Sequence, residues 1–116
     1  MTVRAVATAG FLALALLLMP VLAASARAAD DAVVITIKDH RFDPETVEVP
    51  AGKKVKLLIR NQDPGPEEFE SYSLNREKVI AGNSEGVVFI GPLDPGIYDF
   101  FGEFHEDTAQ GKIVAK

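Results

Sequence analysis

From residue 33 onward, apolar side chains recur with a period of two, in short runs separated by proline, glycine, asparagine and aspartate. Val33-Val34-Ile35-Thr36-Ile37-Lys38 is a β-branched run and predicts a first strand. Thr46-Val47-Glu48-Val49 alternates cleanly, as a half-buried strand should. Lys54 to Arg60 alternates at first and is then continuously apolar, the strongest strand signal in the chain. Glu67 to Tyr72 is extended, with Glu68 and Glu70 on one face and Phe69 on the other. Arg76 to Ile80 reads equally as strand or helical turn. Gly86 to Ile90, Ile97 to Phe101 and Lys112 to Ala115 complete the series. Between them lie turn signals at Asp39–Pro44, Pro50–Lys53, Asn61–Pro66 and Gly91–Gly96. Seven to eight short strands without an amphipathic helix predict an all-β Greek-key β-sandwich.

The first 28 residues follow another pattern. Arg4 precedes an apolar stretch, Ala5 to Ala23, and Ala26-Arg27-Ala28 supplies small residues at an A-x-A cleavage site. This predicts a signal peptide over 1–28 and one domain over 29–116, exported to the periplasm; cleavage after Ala26 is the near alternative. The domain keeps ten Lys and Arg against seventeen Asp and Glu, a net charge of −7. Such an acidic surface disfavours nucleic acid and suits cations. The chain has no cysteine, which removes disulfides, thiolate metal sites and thiol catalysis together.

The candidate chemistry gathers near the end of the chain. Between the two closing strands, Gly102 to Gln110 holds Glu103, His105, Glu106 and Asp107. A tight loop on rigid strands is a place where ligands can be fixed. His105 is the foremost candidate, since imidazole suits copper, iron and zinc alike. Glu68 and Glu70, two apart on an extended segment, project to one side and repel each other unless a cation intervenes. Glu103, two residues before His105, is read as sharing its face. His40 sits in a turn that a sandwich can bring near the last loop, as a second imidazole. Glu67 reads as peripheral, and Glu106 and Asp107 as solvated. Most of Phe69, Phe89, Phe100, Phe101 and Phe104 read as core, with Phe104 the one near a site.

Phe42-x-Pro44-x-x-Val47-x-Val49-Pro50-Ala51-Gly52-Lys53-x-Val55, then Asn61-x-Asp63, then Pro95-Gly96-x-Tyr98-x-Phe100-x-Gly102-x-Phe104-His105 and Gly111-Lys112-Ile113-Val114 resemble the cupredoxins over the whole domain. The resemblance places the copper-ligating cysteine at Gly102, one histidine at His105, the axial methionine at Gln110 and the other histidine within Glu67 to Glu68. Only His105 is kept, so type 1 copper electron transfer is rejected. Glu68-Phe69-Glu70 and the acidic loop are similar to a narrower branch. These are cupredoxin-like domains of the EfeO type and small periplasmic cupredoxins accompanying bacterial ferrous-iron permeases. That resemblance implies a copper or iron site, with Glu68, Glu70, Glu103, His105 and His40 as candidate ligands. It also implies a periplasmic iron-binding protein or an inner-membrane iron permease as partner. Binding and delivery is the expected role, with ferrous oxidation and a site shared by two chains left open. The alternative is a metal-free docking module, since loss of ligands also accompanies loss of a site.

Overall fold

A computed structural model describes residues 1–3, 5, 10 and 31–116. The expected signal peptide lies almost wholly outside the described residues. Among the described residues, no helix is long and apolar enough to cross a membrane.

Among the described residues, nine strands form two facing sheets. They are β1 (Val33–Lys38), β2 (Arg41–Asp43), β3 (Thr46–Val49), β4 (Val55–Asn61), β5 (Glu67–Ser71), β6 (Arg76–Ile80), β7 (Ser84–Ile90), β8 (Gly96–Gly102) and β9 (Gln110–Ala115). One sheet runs β2-β1-β4-β7 and the other β3-β9-β8-β5-β6. Two of the pairings, β1 with β4 and β3 with β9, are parallel, and the rest are antiparallel. The expected all-β sandwich is therefore observed, with two strands resolved from ambiguous sequence. Arg76–Ile80 is extended because it pairs along its full length with β5. Arg41–Asp43 folds back on β1 rather than remaining a turn.

The core lies between the sheets, as the alternation requires. Ile35 and Ile37 from β1, Leu57 and Ile59 from β4, Phe69 from β5, Phe100 from β8 and Ile113 from β9 are essentially fully buried. Phe42 packs edge-on against Phe100, with ring centroids 4.9 Å apart. Phe69 and Phe100 lie 5.1 Å apart. Phe89 corrects the sequence reading. Its neighbours Val88 and Ile90 face inward, so the pleat turns Phe89 outward, where the Lys54 ammonium sits 4.7 Å from its ring.

The hairpin joining β1 and β2 positions one end of the sandwich. Lys38 pairs directly with Arg41, leaving a two-residue loop of Asp39 and His40. Both have left-handed backbones, with φ of 52° and 56°, the arrangement of a tight turn that matches strand twist. Neither is glycine, so the turn must be held from outside. The Asp63 carboxylate does this, accepting the Asp39 N–H at 2.8 Å and the His40 N–H at 3.0 Å. Burial pushes the Asp63 carboxyl up, but the N–H groups of His40 and Asp39 and the nearby charges of His40 and Lys38 outweigh it. The net shift is below the ordinary value.

Candidate functional site

The five candidate ligands fall into two separate groups on either side of strand β5. The pleat of β5 decides the division. Glu67, Phe69 and Ser71 point toward the interior, and Glu68 and Glu70 share the opposite face.

The outer group is a carboxylate cluster. Oxygens of Glu68, Glu70 and Glu103 all lie within 4.8 Å of one another. Glu103 opens the 3₁₀ turn Glu103–His105 that follows β8. Glu70 pairs with Glu77 on β6 and with Phe101 on β8, which cover it until only 9% of its surface is exposed. Its Oε2 is buried and has no hydrogen-bond partner. Among the described residues the ion pairs are Arg60–Glu85, His105–Glu67 and Lys116–Glu48, none of which brings a cation to the cluster. Arg76, at the start of β6, spends its guanidinium on the carbonyls of Phe89 and Asn75.

The electrostatic result is visible in the acids themselves. Burial first, then the hydrogen bond and charge of Glu103 and the charges of Glu70 and Glu77, push the Glu68 carboxyl up to about 7. Glu70 is raised by burial and by the charges of Glu77 and Glu103. Like charges directly opposite on paired strands destabilise a sheet, so Glu70 and Glu77 add to the strain. A metal ion with oxygen bonds near 2.1 Å draws such groups to about 3–4 Å apart, a small closure from the observed spacing.

The inner group is different. Glu67, read as peripheral from the sequence, is 1% exposed. Its Oε1 accepts the N–H of Phe104 at 2.9 Å and of Glu68 at 3.0 Å, while Oε2 lies 2.5 Å from Nδ1 of His105. His105 is thereby tied to Glu67 while Glu103 reaches the outer acids, although both, with His40, line one open cavity at this end of the sandwich. His40 does reach His105, but by stacking: the rings lie 3.5 Å apart and 11° from parallel. Thr108 Oγ1 fixes this contact by donating to the His40 carbonyl at 2.6 Å. In-plane lone pairs of two parallel rings run side by side and do not converge on one ion. Replacing His40 by alanine is expected to cost about 1 kcal/mol and to shift the ring resonances of His105, measured by thermal melting and NMR.

The arrangement also tests whether a type 1 copper ion fits. A Cβ added to Gly102, at the expected cysteine position, would lie 2.7 Å from both Glu67 Cδ and Ala109 Cβ. Gln110, at the axial position, donates its side-chain amide to the Glu106 carbonyl. The thiolate's space is filled, and His105 Nδ1 and the Gln110 amide are engaged, so a type 1 site does not fit.

These features define a two-sheet β-sandwich with a buried carboxylate–imidazole pair at one end. The chain belongs to the cupredoxin-like domain family, whose model it matches over residues 10–115. A protein of Rickettsia prowazekii (strain Madrid E), named as uncharacterised, is 51% identical over 82 residues, covering 71% of this chain and 66% of the relative. The chain thus spans just under two thirds of that relative's length. Among solved structures, amicyanin from Paracoccus versutus superposes with a TM-score of 0.60 at 19% identity, covering 75% of this chain and 83% of that one. The blue copper protein auracyanin A from Chloroflexus aurantiacus gives 0.63 at 16% identity, covering 74% and 98%. The metal-binding domain of the Streptococcus pneumoniae Cu(I)-exporting P-type ATPase CopA, solved with Cu(I), gives 0.65 at 14% identity, covering 73% and 84%. At these identities the likeness is one of fold.

Proposed function

We propose that this protein is an exported metal-binding cupredoxin that takes up iron or oxidised copper on Glu68, Glu70 and Glu103. The observation that carries this reading is the Glu70 carboxylate. It is buried, one oxygen has no partner, and it converges with two further carboxylates. Burying an unpaired carboxylate is costly, and a bound cation would offset that cost. Hard anionic oxygens disfavour soft ions such as Cu(I) and accept hard and borderline ones, Fe(III) and Cu(II) among them. His105 and His40, grouped with these acids in the sequence reading, belong to the inner side and are left out of the ligand set.

The role in this reading is binding and delivery in the periplasm. Its link to iron uptake rests on the likeness of Glu68-Phe69-Glu70 and the acidic loop to EfeO-type domains and to cupredoxins accompanying ferrous-iron permeases. The partner would be a periplasmic iron-binding protein or an inner-membrane iron permease. Without a thiolate to speed electron exchange, delivery suits the chain better than ferrous oxidation.

Calorimetric titration with Cu(II), and with Fe(II) under anaerobic conditions, tests the reading. One ion per chain is expected, with a rise in melting temperature because the ion binds only the folded state. Glu70→Gln is expected to weaken binding at least about tenfold, near 1.4 kcal/mol, while His105→Ala retains it. Equal, weak binding by the native protein and Glu70→Gln would favour the metal-free docking reading. Its surface would then be the same sheet face, where Tyr72 and Ile97 are exposed and Tyr72 packs 5.4 Å from Phe101.

A further inference from the structure

We propose that Glu67 is a built-in anchor that stands in for a metal: its buried carboxylate fastens the surrounding segments, at the place where the resemblance to cupredoxins puts a copper-ligating histidine, so the last loop is ordered without an ion. This holds whether or not the outer carboxylates bind metal. Three segments meet at this one side chain. The start of β5 contributes the Glu68 N–H, and the 3₁₀ turn contributes the Phe104 N–H and the His105 ring nitrogen Nδ1. The end of β8 approaches through Gly102, where an added Cβ would clash at 2.7 Å with Glu67 Cδ and equally with Ala109 Cβ. The loop closes on the same point, with Gly102 N–H donating to the Ala109 carbonyl and Ala109 N–H to the His105 carbonyl, both at 2.8 Å.

The chemistry of the pair follows from its donors. An ionised carboxylate only accepts hydrogen bonds, and Glu67 receives three. A buried anion held by two backbone N–H groups and an imidazole N–H supplies the convergent, charged anchor that a metal centre would otherwise supply. It also fixes the imidazole tautomer, as a carboxylate behind a histidine does. His105 Nδ1 is committed inward, and Nε2 alone remains free of this bond. Glycine at 102 is then required by Glu67, because any side chain there meets the carboxylate.

Two measurements decide the proposal. The first compares the native protein with Glu67→Gln by 15N NMR of the histidine rings, at a pH where they are neutral. In the native protein His105 is expected to carry its proton on Nδ1. In Glu67→Gln the amide group facing it is a donor, and the proton is expected to move to Nε2. Amide hydrogens of residues 103–109 should then exchange at least about tenfold faster, with exchange in β4 and β7 unchanged. The same tautomer and the same loop exchange in both proteins would overturn the proposal.

The second measurement adds Cu(II) to Gly102→Cys and to Gly102→Cys combined with Glu67→Ala. The intense visible thiolate-to-copper absorption is expected only in the double variant, where the space is cleared. An equally strong band in Gly102→Cys alone would show that Glu67 does not hold the position, and would also overturn it. If the cysteine variants fail to fold, the Glu67→Gln spectra still decide.

Discussion

Asn61→Ala is expected to lower the melting temperature by roughly 10–20 °C and to release His40 from His105. Asn61 is 2% exposed at the end of β4, and its side chain is a junction. The Nδ2 amide donates to the carbonyls of Gly65, Ile80 and Ala81 at 2.9–3.3 Å, and Oδ1 accepts the Asp63 N–H at 3.0 Å. Alanine would strand these buried groups, at about 1–3 kcal/mol for each one left unsatisfied. A net loss near 3 kcal/mol corresponds, for a domain of this size, to a shift of that order. The second effect is positional. Asp63 holds Asp39 and His40 in left-handed conformations that neither residue favours alone. Once Asp63 is loosened, the hairpin loop relaxes and the imidazole stack is lost. Thermal melting reads the first effect, and loss of the ring-current shift on His105 at a temperature where the variant is still folded reads the second. A melt within a few degrees of the native protein, with the stack intact, would show that Asn61 is not the junction described.

Most of the fold was legible in the sequence because a β-sandwich writes itself as alternation. Each predicted strand reappears within one or two residues, and the core runs along the apolar phase of each. What the sequence reading missed, it missed at identifiable points. Glu67 stands two residues before Phe69, so the pleat that buries Phe69 also turns Glu67 inward. The signal is present in the phase, and the acidic side chain masks it. Phe89 is the converse case: its aromatic character suggests core, and the phase turns it outward between Val88 and Ile90. Glu103 and His105 were grouped by a spacing of two, which holds on a strand. They lie instead on a 3₁₀ turn, where three residues make a turn and positions two apart diverge by roughly 120°. One joins the outer acids and the other joins Glu67. The grip of Asp63 on the Asp39-His40 turn, 23 and 24 residues away, has no local signature at all.

The outer carboxylates make the metal-free protein less stable at neutral pH than in mild acid. Glu68, shifted from 4.5 to about 7, and Glu70, also raised, bind protons more tightly in the folded state than in the unfolded chain. Where the folded state holds more protons, stability falls as pH rises. Their favourable contribution is complete below about pH 4.5 and is lost as pH climbs through about 7 for Glu68. Asp63 acts in the opposite sense. Its lowered carboxyl supports the fold above 3.8 and withdraws that support as pH falls through its shifted value. The two trends place the stability maximum of the metal-free protein in mild acid. Melting temperatures measured with a chelator present are therefore expected to be higher at pH 5.5 than at pH 8. Glu68→Gln and Glu70→Gln should each flatten that slope and stabilise the metal-free protein at pH 8, because each removes a charge from a cluster with no cation. A bound cation should do the same for the native protein by supplying the missing positive charge, so the variants gain stability where they lose the ligand. A melting temperature that rises from pH 5.5 to pH 8, or variants less stable than the native protein at pH 8, would mean that the carboxylates are already compensated. The case for a cation site on this face would then be lost.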